Sequence, residues 1–216
     1  MGAIARNAAN KITTGGVFTS GAITNDSVTG ITVLANASDG ITFISSQTAS
    51  NSASLSFTSG LTSTYKAYKF VFSNIQPATD GTFFEFNLST DSGSNYNVTK
   101  TTTYISVRHN EADSFTELSY QGTLDLAQST SYQRLMENIG NGADESGSGS
   151  LTLFNPSSTT YVKHFMSSTN HYELNNVSMN VMVAGYGNTT SAINAIRFQM
   201  TSGNISAGTI YLYGIK

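Results

Sequence analysis

Cysteine is absent from all 216 residues, so disulfides and thiolate chemistry are excluded, and stability must come from packing or assembly. Charge is scarce as well. Asp, Glu, Lys and Arg together make up 11% of the chain, against roughly a quarter in ordinary soluble domains. The ten Lys and Arg are scattered and the formal net charge is -3. A nucleic-acid partner would call for a cationic stripe to replace counterions, and none is visible. No apolar run approaches the roughly eighteen residues of a membrane span. The opening MGAIARNAANKI lacks the uninterrupted apolar core of a signal peptide. The expectation is no nucleic acid, no membrane, and release by a route such as lysis if the protein works outside a cell.

What is present is hydroxyl and aromatic. Ser and Thr number about sixty, beside 19 Gly, 11 Tyr and 12 Phe. That composition suits many short strands joined by polar turns and does not suit a helical protein. The length fits one all-β domain plus an appendage.

The last stretch, SAINAIRFQMTSGNISAGTIYLYGIK, organises the rest. Ile196, Phe198 and Met200 share one side of a first alternating run, and Ile210 and Leu212 share one side of a second. Period-two alternation flanked by turn residues marks half-buried strands. The final strand is expected to complete the sheet and close the core.

Residues 1–40 read as an extended arm. Ile4, Ala8 and Ile12 recur at spacing four, which makes a narrow apolar stripe if helical. Val17 and Phe18 form one of several isolated apolar pairs among Gly, Ser, Thr and Asn, which suits a chain lying along another surface. The domain proper spans 41–216. ITFI at 41–44 and Leu55 with Phe57 open it; Tyr68, Phe70 and Phe72 share a face of the next strand, with Lys69 and Val71 opposite. Phe84, Phe86 and Leu88 share a face of the following one, with Glu85 and Asn87 facing away and Glu85 expected to meet solvent. QRLMENI at 133–139 is the best candidate for a helical turn, and GNGADESGSGS at 140–150 reads as a mobile loop. About ten strands with a turn signal every 8 to 15 residues point to an all-β fold, a single jelly-roll-like β-sandwich.

Catalytic and metal signals are thin. His109, His164 and His171 form no spaced pair, and no nucleophile elbow or phosphate loop occurs. Asp144 with Glu145, and Asp91 with Asn95, could offer oxygens to calcium but lack the ligand count and spacing. Glu85 is the one carboxylate inside a strong strand, and a glycosidase needs two at a defined separation. Neither a cofactor nor a metal is expected. Asn87-Leu88-Ser89 and Asn188-Thr189-Thr190 match the glycosylation triplet, as chance allows in so Asn- and Ser-rich a chain. Tyr211 and Tyr213, opposite Ile210 and Leu212, are candidates to pack against another subunit or to stack on sugars.

The opening MGAIARNAANKI, the segment from SSQTASNSASLSF through FEFNLSTDSGSNYN, the stretch LFNPSSTTYVKHF and the ending NTTSAINAIRFQM through IYLYGIK resemble small virion structural proteins of tailed bacteriophages. The resemblance covers most of the chain and carries no catalytic motif. It implies a β-sandwich module on the virion exterior, commonly trimeric, made in the host cytoplasm. A fibre shaft would show a short repeat over many periods, and there is none. The expectation is therefore a non-enzymatic capsid decoration, or cement, protein. Its partners would be the major capsid protein and copies of itself, and its partner-binding residues would be Ile4, Ala8, Ile12, Val17, Phe18, Tyr211 and Tyr213. The alternatives are a tail fibre protein that recognises host glycans and, more remotely, a carbohydrate-active enzyme using Glu85.

Overall fold

The computed structural model describes residues 40–216. Ile4, Ala8, Ile12, Val17 and Phe18, the candidate docking residues of the arm, lie outside the described residues.

The described chain is all strand and turn, with twelve strands: β1 (Ile41–Thr48), β2 (Ser54–Phe57), β3 (Ala67–Pro77), β4 (Thr82–Ser89), β5 (Lys100–Asn110), β6 (Thr116–Tyr120), β7 (Gln133–Ile139), β8 (Gly147–Phe154), β9 (Lys163–Glu173), β10 (Val177–Gly187), β11 (Ala195–Met200) and β12 (Ile205–Ile215). Every named pairing is antiparallel. Hydrogen bonds run in the order β1-β12-β3-β8-β9-β7-β4-β11-β2, and β10, β5 and β6 branch off β9. Ser52, just ahead of β2, pairs with Ile205 at the start of β12. The two ends of the path thus meet, and the sheet forms a nearly closed, barrel-like shape. β6, hydrogen-bonded only to β5, remains an edge strand.

The final strand lies where the sequence placed it. β12 is hydrogen-bonded on both sides, to β1 and to β3, and Ile205, Ile210 and Leu212 are fully buried. β11 delivers Phe198 to the centre of the core. Its ring lies 5.3 Å from Phe72, 5.4 Å from Phe70 and 5.8 Å from Phe84, with Phe57 and Phe86 a little farther out. Tilted and edge-on pairs predominate, as ring quadrupoles favour.

Three expectations fail. Gln133–Ile139 is strand β7, not a helical turn. Its Gln133 and Glu137 are buried because Thr102 and Arg108, remote in sequence, supply their partners. The stretch 140–150 is not one loop, since its last four residues already belong to β8. The rest is a turn in which the Glu145 carboxylate accepts from the Gly142 amide. Glu85 does not face solvent: both it and Asn87 are buried, because β4 is covered on its two sides.

Candidate functional site

Two features of the barrel bear on function, an apolar outer face and a polar cleft. The face lies across β8, β9, β10, β5 and β6. Directly opposed residues on antiparallel strands share a side of the sheet. The registers Met182↔Ile105, Ile105↔Tyr120, Val107↔Leu118, Ala184↔Met166 and Thr152↔Met166 therefore place these residues together on the outside. Leu118 is 72% exposed, Met166 59%, Tyr120 56% and Met182 42%. Phe154, at the end of β8, is also exposed and joins Met166 in lining a shallow groove of about 380 Å³. The outward positions of these five strands carry no Asp, Glu, Lys or Arg.

The inward positions of the same strands are mixed: β8 and β10 bury Leu151, Leu153, Met179, Val181 and Val183, whereas β9 and β5 bury several polar side chains beside Phe165 and Tyr104. On β9, Lys163, Ser167, Thr169, His171 and Glu173 are buried while Met166 is exposed. On β5, Ser106 and Thr102 are buried while Val107 is exposed. The buried hydroxyls of Ser and Thr find partners: Thr169 Oγ1 donates to Leu135 O at 2.6 Å, Ser167 Oγ to Ser150 O at 3.0 Å, and Thr102 Oγ1 to Gln133 Oε1 at 2.6 Å. His171 Nε2 bonds Glu137 O at 2.6 Å, and burial drives the imidazole down to about 4, so it is neutral at ordinary pH. Beside it, Arg108 Nη2 meets Glu137 Oε2 at 3.2 Å.

The cleft lies on a different wall. β7, β4 and β11 set Arg134, Glu85 and Gln199 in one row, through the pairs Glu85↔Arg134 and Glu85↔Gln199. Glu85 Oε1 accepts from Gln199 Nε2 at 2.9 Å. Burial raises the Glu85 carboxyl above its usual range, against the pull of that hydrogen bond and of the Arg134 and Lys100 charges. Arg134 is stacked on Phe83, its guanidinium carbon 4.0 Å from the ring centre. Behind the row, Lys100 is fully buried, and its Nζ donates to Asn87 Oδ1 at 2.5 Å and to Val98 O at 2.8 Å. Burial pushes its ammonium down to about 7, partly opposed by Glu85. Over the row hangs the segment before β7, and together they enclose a cleft of about 430 Å³.

The residues singled out from sequence divide. Tyr211 and Tyr213 do lie on the outer side of β12, opposite buried Ile210 and Leu212, but they are half-buried, and Phe43 packs edge-on against Tyr213 at 5.7 Å. Asp91 is committed locally: its Oδ1 takes Ser89 Oγ at 2.7 Å and the Asn95 amide at 2.9 Å, its Oδ2 takes Asn95 Nδ2 at 2.7 Å, and these bonds hold it at about 2. Among the described residues there is no group of three or more His, Cys, Asp or Glu placed to hold a metal ion. His109 is exposed and pairs with Asp113 at 3.0 Å; His164 is exposed beside Tyr186. No described helix is long and apolar enough to cross a membrane.

Met166, Met182, Leu118 and Tyr120 were not singled out by the sequence. Alternation separates the two sides of a strand but does not say which side faces the core, and on β9 and β5 the side that carries Lys163, Glu173, Lys100 and Arg108 turns inward. Searches of family models, of curated proteins and of solved structures found no match to this chain.

Proposed function

We propose that this chain is a non-enzymatic structural protein of a tailed-phage virion, a decoration protein that seats its apolar face on the outside of the assembled head. The observation that carries this reading is the row of exposed apolar side chains across β9, β10, β5 and β6, Met166, Met182, Leu118 and Tyr120, on a face whose outward positions hold no Asp, Glu, Lys or Arg. Exposed contiguous apolar surface on a soluble domain marks a contact site. Because the face has no formal charge, seating it requires no desolvation of ions. An uncharged contact made by many shallow apolar side chains fits a repetitive lattice of coat subunits better than a single polar ligand. Binding only the assembled shell stabilises that shell by mass action, and three copies joined as a trimer would add avidity.

The finer form of the fold belongs to this reading too. β1-β12-β3-β8-β9-β10-β5-β6 and β7-β4-β11-β2 are joined only narrowly, by the pair Ile139↔Glu173 at one side and by Ser52↔Ile205 at the other. Two such groups facing each other across an aromatic core support a jelly-roll-like sandwich. The resemblance of the chain to phage virion proteins supports the location, and the segment 1–40 is proposed to lie between coat subunits.

The test is reconstitution. Purified chain mixed with emptied phage heads should co-sediment with them and raise their resistance to heat. The double variant Met166→Lys with Met182→Lys should bind at least about tenfold more weakly, since two charges would be desolvated at the contact, while its own melting temperature stays near that of wild type. Heads that gain no heat resistance, or bind the double variant as well as wild type, would remove the proposal.

A further inference from the structure

The cleft over β4 and β7 has the make-up of a ligand site in its own right. Its floor is Glu85, a carboxylate that is more than nine-tenths buried yet lines open space. One carboxyl oxygen is taken by Gln199, which leaves the other to the cleft. Arg134 sits opposite Glu85 and is held flat by Phe83, so its guanidinium edge is a fixed donor. Asp125 and Tyr132 stand on the walls, and Leu124 and Leu126 add apolar surface.

The wall is fixed before any ligand arrives. The Leu126 amide donates to Thr102 Oγ1 at 2.8 Å and Leu126 O accepts from the Thr102 amide at 2.9 Å. Leu124 O accepts from Gln133 Nε2 at 3.2 Å. Ser129 and Lys100 exchange both backbone hydrogen bonds, at 2.8 and 3.0 Å, and Asn87 Nδ2 clamps Thr130 O at 2.9 Å. A site held this way loses little conformational freedom on binding.

We propose that this cleft binds a short neutral oligosaccharide. Carboxylates and a guanidinium side by side offer acceptors and donors of both signs, which suits hydroxyl groups, each of which both donates and accepts. A single strong ion of either sign would meet a like charge. The apolar flank of Leu124 and Leu126, with the Tyr132 ring, suits the C–H face of a pyranose. The volume of about 430 Å³ falls within the range of roughly 300–1,000 Å³ usual for small-ligand sites. The proposal does not rest on the seating of the barrel on a phage head, since the cleft and the apolar face lie on different strands.

The experiment is a calorimetric and NMR titration of the whole chain with maltotriose, cellotriose and chitotriose, and with citrate as an anionic control. At least one trisaccharide should bind saturably with Kd at or below about 1 mM, and citrate should not bind. Glu85→Gln should weaken that binding at least about tenfold. If Glu85→Gln fails to fold, Ser131→Trp decides alone: it places a bulky ring at the exposed rim, leaves the core untouched, and should abolish binding. No saturable binding of any of the three, or binding that Ser131→Trp leaves unchanged, overturns the proposal. Co-sedimentation of Ser131→Trp with phage heads reads the seating reaction separately.

Discussion

Lys100→Met should remove a pH dependence of stability that wild type shows on the alkaline side of neutrality. Lys100 is fully buried, hydrogen-bonded to Asn87 Oδ1 and Val98 O, and forms no ion pair within 4 Å among the described residues. Its folded pKa of about 7 compares with about 10.4 in an unfolded chain. A depressed lysine pKa means that the unfolded state holds the proton more tightly. The resulting destabilisation is complete below the folded value and is relieved as pH rises toward the unfolded one. The slope approaches about 1.4 kcal/mol per pH unit once the folded amine has titrated. With half titration near pH 7, stability should rise by roughly 2 kcal/mol between about pH 7 and pH 9. For a domain of this size that corresponds to about 4–8 °C in melting temperature. Lys163 is also depressed by burial and adds in the same direction, so the decisive quantity is the difference between wild type and Lys100→Met. Urea unfolding followed by tyrosine fluorescence is suitable because the chain has no tryptophan. Identical pH profiles for the two proteins between about pH 7 and pH 9 would refute the assignment of Lys100 as a buried, weakly basic amine.

Phe198→Ala should cost about 3–5 kcal/mol in urea unfolding, because the ring is fully buried at the hub of five other aromatic rings; a loss under about 1 kcal/mol would mean the cluster is not the packed core. Gly208→Ala should cost about 1–3 kcal/mol, since Gly208 sits at a bulge of β12 with φ +113° and an added Cβ would lie 2.5 Å from Asn74 O. On the acid side, His171, depressed to about 4, contributes stability that is present above about pH 6.5 and is lost as pH falls toward its folded value. The raised carboxyls of Glu85 and Glu137 act in the opposite sense, so comparison of His171→Gln with wild type across that window isolates the histidine and should show a flatter profile in the variant.

The parts of the fold legible in the sequence are those where one side of a strand is aromatic and the other polar. Tyr68, Phe70 and Phe72 on β3 and Ile210 with Leu212 on β12 are buried as their alternation requires. β4 shows where the same rule stops. Phe84, Phe86 and Leu88 are correctly inside, but Asn87 and Glu85 are buried as well, because the segment before β7 crosses over them and Asn87 ties it down through Thr130. That covering contact spans about forty residues and leaves no local trace. β7 is hidden from the sequence for a related reason. Its Gln133 and Glu137 look like the polar side of a helix until Thr102 and Arg108 arrive from β5 to satisfy them. On β9 the sides contrast little: Lys163, Phe165, Ser167 and Thr169 lie inside while His164, Met166 and Ser168 lie outside, and with one large apolar residue on each side composition favours neither orientation.

The exposed apolar face has an energetic consequence for the way the protein works. Turning Ser106, Ser167 and Thr169 inward gains nothing by itself, because a buried hydroxyl at best recovers in hydrogen bonds what it loses in hydration. Turning Leu118, Met166 and Met182 outward forgoes about 1.5–3 kcal/mol of burial apiece. The burial forgone in solution is recovered when the outer face is covered. Stability and seating are therefore linked: the folded barrel should melt higher on its partner surface than in solution. The same substitutions that weaken seating, Met166→Lys and Met182→Lys, should leave the free barrel nearly unchanged, since in solution both side chains are already largely or partly in water.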